Sequence, residues 1–282
     1  MSNKNDSAKL EEYRRKLEEF LREHEAKEGD LLTHTAYGPP WGKYHISDED
    51  NNTFLKLYCC ALGNQLHIVE RPKKVGPLLI DIDFNFVEEQ VEGIYNTIVR
   101  KYYNWSNETL LAFVMEKKNP TIKIGSEKKE YKDGFHIQYP NLPIPETMRY
   151  LIIHETRELI RKNNYLKHLP FVNSLDDVFD VSIVTRNGWM MYGSKKHDGQ
   201  YYHLTHIYYC TFEEKNVKSY KHTDLVKLLS NRRYTDADEL KLKETVNTDE
   251  LTNALQEIEE TYYKKTKKEV VYKIVSEAEA DL

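Results

Sequence analysis

The chain has 282 residues, of which 39% are hydrophobic and 31% are charged, so a buried core can form and disorder throughout is excluded. No apolar run approaches the roughly 18 residues that a membrane-spanning helix requires, and the first residues are polar, so we expect neither a membrane protein nor a secreted precursor. The three cysteines include no C-x-x-C pair, which excludes a cysteine-based zinc site and fits a reducing compartment inside the cell.

The formal net charge is −5, from 41 basic and 46 acidic residues. A negative total excludes a surface that is basic all round and suited to gripping duplex DNA. The lysines nevertheless occur in local clusters, and the 21 tyrosines supply rings that suit both the edges of a core and the stacking of bases. Composition therefore favours a local basic groove for nucleic acid without establishing one.

The predicted elements alternate between helix and strand without a regular βαβ order. Periodicity and capping signals predict, in chain order, a helix at 7–27, a helix at 48–62 that Ser47 caps, strands at 65–70 and 78–84, a helix at 87–103, strands at 110–115 and 134–139, a helix that Pro145 opens, and strands at 181–184, 189–192 and 201–212. From Lys221 onward the pattern is helical and charged, with a late strand at 270–275. This mixture is typical of an α+β fold.

The first candidate motif is Ile-Asp-Ile-Asp-Phe at residues 80–84. In a strand, Asp81 and Asp83 project from one face, about 7 Å apart between Cα atoms, which is close enough to share hard divalent cations. A strand with one solvated face would explain the same alternation. However, aspartate is depleted in strands, and two like charges on one face repel each other unless a cation neutralises them.

The second candidate is His136, in the strand Gly-Phe-His-Ile-Gln-Tyr. The alternation places its ring opposite Phe135 and Ile137, and Gly134 permits a ligand to approach the backbone closely. An ordinary half-buried histidine is the commoner explanation of a single residue of this kind.

The third candidate begins at Asp180 and runs through an apolar stretch to Tyr-Gly-Ser-Lys-Lys at 192–196. We expect a strand to deliver Ser194, Lys195 and Lys196 to a turn, where amides, a hydroxyl and an ammonium group can meet a phosphate. A hairpin with a solvated basic turn would explain the same residues. Two acids just upstream, in Leu-Asp-Asp-Val, compete with Asp180 as the acidic partner.

Taken in this order, the three blocks resemble the archaeo-eukaryotic primase superfamily. More narrowly, they resemble the N-terminal primase part of the primase-helicases of poxviruses and other nucleocytoplasmic large DNA viruses. The resemblance covers about residues 31 to 215 and implies an α/β unit packed on a sheet similar to an RNA-recognition motif. It implies three catalytic acids that bind two Mg²⁺ or Mn²⁺ ions, namely Asp81, Asp83 and Asp180. It also implies four nucleotide-binding residues, namely His136, Ser194, Lys195 and Lys196.

On this resemblance we divide the chain into an amphipathic N-terminal helix at 1–30, a primase catalytic core at 31–220, and a helical extension at 221–282 that leads toward a helicase part. The sequence contains no G-x-x-x-x-G-K-[ST] loop, so an ATPase motor would lie on another segment or subunit. The expected partners are a single-stranded DNA template, nucleoside triphosphates and that helicase, at a viral replication site in the host cytoplasm.

The function that follows is primer synthesis in viral DNA replication, by a DNA primase or primase-polymerase that releases pyrophosphate through two-metal phosphoryl transfer. One alternative is a non-catalytic module that binds DNA or loads a replicative helicase. Another is a sugar transferase that holds a nucleotide-sugar diphosphate through Mn²⁺ on the Asp-x-Asp motif, which no other feature favours. The preferred nucleotide type, initiation against extension, template preference and oligomeric state stay open at this point.

Overall fold

The computed structural model describes residues 2–82, 88–123, 130–132, 134–165, 174–211 and 213–260. They form the predicted α+β fold, in which two four-stranded antiparallel sheets carry most of the core. The helices are α1 Ser2–Glu23, α2 Asp48–Ala61, α3 Glu88–Tyr102, α4 Glu146–Asn163, α5 Leu175–Val178, α6 His222–Leu228 and α7 Thr248–Ile258. The strands are β1 His34–Ala36, β2 Gly42–Tyr44, β3 Ile68–Glu70, β4 Val75–Ile82, β5 Ala112–Lys117, β6 Thr121–Lys123, β7 Glu130–Lys132, β8 Phe135–Pro145, β9 Trp189–Met190 and β10 Tyr202–Tyr208.

The first sheet has the strand order β2-β1-β3-β9, and its core is shared with α1 and α2. The apolar stripe predicted for α1 is confirmed, because Leu17, Phe20 and Leu21 are buried in this core. The predicted N-cap of α2 is also confirmed, since the Ser47 hydroxyl accepts a hydrogen bond from the amide of Asp50 at 3.1 Å. The first sheet therefore holds β3 firmly just before the turn that leads into β4.

The second sheet has the order β10-β5-β8-β4, and one of its faces is covered by helices. Alternation in β4 places Ile80 and Ile82 in a core that includes residues of α3, α4 and α7. In β8, Ile137 joins the same core. The predicted alternation is therefore confirmed for the described residues, with the isoleucines on this face and Asp81 and His136 on the other.

The opposite face of the second sheet meets the first sheet. Here Leu79 and Phe113 pack in a cluster with Trp189 of β9 and Leu225 of α6. Because β9 is hydrogen-bonded to β3, this cluster joins the two sheets into one body. Asp81 lies on this face beside the cluster, where the apolar packing gives way to a cavity.

A buried carboxylate fastens the segment after α6 to the first sheet. Glu70 is fully buried, and it accepts hydrogen bonds from the Ser230 hydroxyl and from the amide of Asn231, each at 2.7 Å. The Nε2 atom of the equally buried His34 lies 3.7 Å from Glu70 Oε1. Since buried polar groups are costly unless they are paired, this cluster fixes the course of the chain at residues 230–231.

The prediction of a strand at 181–184 is wrong, because Val181–Val184 forms a 3-10 helix. The side chain of Asp180 caps it by accepting a hydrogen bond from the amide of Ser182. Ile183 and Val184 are nevertheless buried, as the apolar run indicated. A four-residue apolar run cannot distinguish a buried strand from a buried turn of helix.

Other boundaries moved without a change of element type. β8 continues to Pro145, and β10 is shorter than predicted and has a register irregularity between Leu204 and His206. The segment beyond residue 220 is partly helical, as predicted, but α6 and α7 pack against the two sheets' cores. The late strand predicted at 270–275 lies outside the described residues. In the described part of the chain, no helix has the length and apolar character needed to cross a bilayer.

Candidate active site

A cavity of about 640 Å³ lies where the second sheet, β9 and the 3-10 helix meet. Four of the residues predicted from the sequence border it, namely Asp81, His136, Asp180 and Lys196. They come from four separate stretches of the chain, so their proximity is a product of the fold. The predicted acid Asp83 lies outside the described residues.

Asp81 and His136 face each other across β4 and β8. The register pairs the two residues directly, so their side chains emerge next to each other on one face of the sheet. His136 Nε2 lies 3.3 Å from Asp81 Oδ1, with side-chain exposures of 9% and 22%. The pair is therefore mostly shielded from water but still accessible from the cavity.

The imidazole of His136 is also held by aromatic rings. Its centroid lies 3.7 Å from that of Tyr202, at an interplanar angle of 16°, and 4.2 Å from that of Trp189. The ammonium group of Lys117 lies 4.9 Å from the Tyr202 centroid, within the range of a cation–π contact. These contacts and Asp81 together fix the plane and the rotation of the His136 ring.

Backbone hydrogen bonding places Asp180 next to Asp81. Its amide donates a hydrogen bond to the carbonyl oxygen of Asp81 at 3.3 Å, and a β-bridge joins the neighbouring residues Ile82 and Phe179. The carboxylate accepts hydrogen bonds from the amide of Ser182 at 2.8 Å, from its hydroxyl at 2.7 Å, and from a side-chain nitrogen of Asn187 at 3.2 Å. Asp180 is therefore fixed in position by the 3-10 helix that it caps.

The two acids that competed with Asp180 have other partners. Asp176 forms an ion pair with Arg161 at 2.8 Å. Asp177 accepts hydrogen bonds from Ser174, which lower the pKa of its carboxyl group, and these bonds form the capping box of α5. Geometry thus leaves Asp180 as the acid of this segment that borders the cavity.

Three cationic side chains border the same cavity, namely Arg71, Lys117 and Lys196. Arg71 follows the buried end of β3, and its guanidinium donates to the carbonyl oxygen of Arg186. Lys117 ends β5 on the same face as His136, since the registers pair it with Tyr202 and pair Met115 with His136. The sequence placed Lys117 in one of the local lysine clusters but assigned neither Arg71 nor Lys117 to the site, because only the strand register and the fold bring them to the cavity.

Ser194 and Lys195 are not among the residues that line the cavity. The Ser194 hydroxyl is buried, accepts a hydrogen bond from the amide of Ile68 at 3.0 Å, and lies 2.8 Å from the Tyr58 hydroxyl. The Lys195 ammonium lies 5.3 Å from the centroid of the Tyr201 ring. The Tyr-Gly-Ser-Lys turn therefore uses its serine to anchor the first sheet, and Lys196 is the residue that reaches the cavity.

The donor set can be compared with what a divalent cation requires. No group of three or more histidine, cysteine, aspartate or glutamate residues within the described ranges is placed to hold a metal ion. Two carboxylates, those of Asp81 and Asp180, do border one cavity, and carboxylate oxygens are the ligands that Mg²⁺ and Mn²⁺ prefer. The chemistry of these two donors therefore suits the predicted hard cation, while the predicted third acid lies outside the described residues.

Comparison with known proteins identifies relatives in large DNA viruses. "Putative helicase L207/L206" of Acanthamoeba polyphaga mimivirus is 33% identical over 192 residues, which are 63% of this chain and 20% of that protein. The similarly named 184R of Invertebrate iridescent virus 6 is 25% identical over 198 residues, covering 58% of this chain and 20% of that protein. The corresponding 121R of Invertebrate iridescent virus 3 is 26% identical over 205 residues. The chain thus spans about a fifth of the length of these relatives.

A family model described as "C962R protein N-terminal AEP domain" matches residues 33–208, where AEP denotes the archaeo-eukaryotic primases. The match covers more than half of the chain and includes Asp81, His136 and Asp180. The resemblance stated from the three motifs is therefore confirmed, and the chain belongs to the archaeo-eukaryotic primase family, of the type found at the N-terminus of the C962R protein.

Proposed function

We propose that this chain is a DNA-templated nucleotidyltransferase, a primase or primase-polymerase that makes primers in viral DNA replication. The observation that carries the proposal is the convergence of Asp81, His136 and Asp180 on one cavity that three cationic side chains also border. Membership of the archaeo-eukaryotic primase family supports it, because the matched segment, residues 33–208, includes all three of these residues.

The cavity has the charge distribution that a nucleoside triphosphate requires. Arg71, Lys117 and Lys196 would offset the negative charge of the phosphates. His136, whose ring is fixed by Asp81, Tyr202 and Trp189, would donate a hydrogen bond to a phosphate oxygen from a set orientation. Preorganised donors of this kind cost no rearrangement when charge develops during the reaction.

Asp81 and Asp180, together with the predicted Asp83, would hold the divalent cations. Bound there, such ions lower the pKa of an attacking hydroxyl group and stabilise the leaving oxygen. In the proposed reaction the 3′-hydroxyl oxygen of the primer bonds to the α-phosphorus of the incoming nucleotide. The bond from that phosphorus to the bridging oxygen breaks, pyrophosphate leaves, and the hydroxyl proton passes to solvent. Asp81 and Asp180 are held next to each other by the backbone hydrogen bond between them.

The relatives' names indicate a helicase as the partner. Each relative is about five times as long as the matching segment and is named as a helicase. We propose that the template, the nucleotides and a helicase domain or subunit meet at this primase segment, which would place primer synthesis next to strand separation.

The test is primer synthesis on single-stranded DNA with Mg²⁺ or Mn²⁺ and either ribonucleotides or deoxyribonucleotides. Asp81→Asn keeps the size of the side chain but removes its charge, so we expect product formation to fall by about a hundredfold or more. Asp176→Asn, in an exposed acid paired with Arg161, is the matched control and should leave synthesis unchanged. No product from the native chain under any of these conditions, with template binding independent of metal, would favour the non-catalytic loading module instead.

A further inference from the structure

A second cavity, of about 570 Å³, adjoins the candidate active site along β10. We call it the tyrosine groove and define it by six of its lining residues, namely Tyr192, Tyr201, Tyr202, Lys218, Tyr220 and His222. Tyr202 lines both this groove and the first cavity, so the two are neighbours at this ring. Among the described residues that line the groove there is no carboxylate, although 46 of the 282 residues of the chain are acidic.

The rings of the groove are held in place but remain accessible. Tyr192 and His222 are linked through the Tyr192 hydroxyl and His222 Nδ1 at 2.7 Å, with ring planes 22° apart. Tyr220 packs edge-on against the buried Phe113, with ring centroids 5.5 Å apart. Tyr201 is half-buried and belongs to none of the hydrophobic clusters of the core. The fixed, half-exposed rings of Tyr192 and Tyr220 lose little conformational entropy when a planar ligand stacks on them.

Lysines accompany the rings. Lys195 Nζ lies 5.3 Å from the Tyr201 centroid, and Lys215 Nζ lies 5.0 Å from the Tyr220 centroid. Lys218 lines the groove and is exposed. Cationic side chains beside aromatic rings are the combination that holds a polynucleotide backbone while its bases stack.

We propose that the tyrosine groove binds single-stranded DNA and guides it to the candidate active site; this inference rests on the proposed function. Stacking on protein rings requires free base faces, which a single strand offers and a duplex does not. The absence of carboxylates among the described lining residues removes the main source of repulsion for phosphates. Because Tyr202 stacks on His136, a base at this end of the groove would lie next to the proposed nucleotide site.

Binding can be measured without catalysis by fluorescence anisotropy, using the full chain in EDTA and a labelled oligothymidylate of about 16 nucleotides. We expect Tyr201→Ala to weaken binding about tenfold, and Tyr201→Phe to bind as the native chain does, because stacking needs only the ring. Lys218→Ala should weaken binding and reduce the salt dependence, by about 0.7 in the slope of log affinity against log salt.

The matched controls are Tyr165→Ala and Lys162→Ala. Both residues are exposed at the C-terminal end of α4, whose apolar residues pack on the opposite face of the second sheet. Equal binding by Tyr201→Ala and Tyr165→Ala would overturn the inference, as would the absence of any oligonucleotide binding by the native chain. So would duplex DNA of the same sequence binding as tightly as the single strand. Circular dichroism and thermal unfolding confirm that each variant is folded.

A second measurement locates the contact. An oligonucleotide that carries 5-iododeoxyuridine, cross-linked by light, should attach to peptides that contain Tyr192, Tyr201 or Tyr220, and attachment elsewhere would contradict the inference. The proposed function is tested by a separate assay, which asks whether the native chain makes primers and whether Asp81→Asn loses that activity. If the groove variants make primers and bind DNA as the native chain does, the proposed DNA binding by the groove is refuted and the proposed function is not.

Discussion

At the scale of single residues, the site depends on how His136 is held. Asp81 faces one ring nitrogen, while Tyr202 and Trp189 lie close to the ring. An imidazole restrained in this way loses little further freedom when it binds a phosphate oxygen. We therefore expect the contact with phosphate to depend on the imidazole itself. A more flexible side chain at position 136 should bind phosphate less tightly.

We predict that His136→Gln raises the KM for nucleoside triphosphates by about 10- to 100-fold, the value of a hydrogen bond to a charged group. A smaller effect on kcat is expected, because the acids remain in place. Steady-state kinetics on a primed template will measure both constants. His206→Gln is the control, since that imidazole bonds Glu214 and stacks on Tyr208. A KM for nucleoside triphosphates that is unchanged in His136→Gln would show that His136 does not bind the nucleotide.

Sequence reasoning at this scale succeeded where alternation decides the outcome. Asp81 and His136 were placed on the polar faces of their strands because side chains alternate with period two. Ser194 was expected beside a phosphate, but a turn motif does not reveal which way its hydroxyl points. In the structure the Ser194 hydroxyl donates to the buried hydroxyl of Tyr58, which in turn donates to the carbonyl oxygen of Tyr192. Burial raises the pKa of the Tyr58 hydroxyl, so this group stays protonated and can act as that donor.

At the scale of elements, the 3-10 helix at residues 181–184 combines a structural and a proposed catalytic role in one side chain. The Asp180 carboxylate caps this helix and also borders the cavity. The two roles can be separated, because asparagine caps helices about as well as aspartate but carries no charge. The sequence indicated the acid but not the helix, since four apolar residues in a row also fit a strand.

We predict that Asp180→Asn keeps the native unfolding temperature but loses primer synthesis. Asp180→Ala should also lose primer synthesis, and in addition its free energy of unfolding should fall by about 1 kcal/mol and its Tm by roughly 2–4 °C. Differential scanning calorimetry and the synthesis assay separate the two effects. If Asp180→Asn is as destabilised as Asp180→Ala and remains active, Asp180 is a cap alone.

At the scale of the whole molecule, the cluster around Glu70 couples folding to pH. Burial lowers the pKa of His34, although Glu70 beside it acts in the opposite direction. His34 Nδ1 donates to the Thr33 hydroxyl at 3.0 Å, because that hydroxyl in turn donates to the carbonyl oxygen of Tyr44. Burial therefore favours the neutral ring in the folded state. No periodicity in the sequence indicates this cluster, since its members lie in different parts of the chain.

Because the pKa of His34 is lower in the folded chain than the value of about 6.5 in an unfolded one, the unfolded state takes up protons more readily. The stability that His34 contributes is therefore complete above pH 6.5 and decreases as pH falls below it. We predict that urea unfolding shows a smaller loss of stability between pH 7.5 and 5.5 for His34→Gln than for the native chain. Equal losses in the two proteins would show that His34 does not titrate on unfolding.

The hydrogen bond from the amide of Asp180 to the carbonyl oxygen of Asp81 spans 180 − 81 = 99 positions of the chain. During synthesis on a ribosome, the earlier acid emerges long before its counterpart. A truncated product that ends before residue 180 contains Asp81 but lacks Asp180, and it therefore also lacks the backbone hydrogen bond that aligns the two acids. Prematurely terminated chains of this protein are therefore expected to be inert toward nucleotides, however well their first helices have formed.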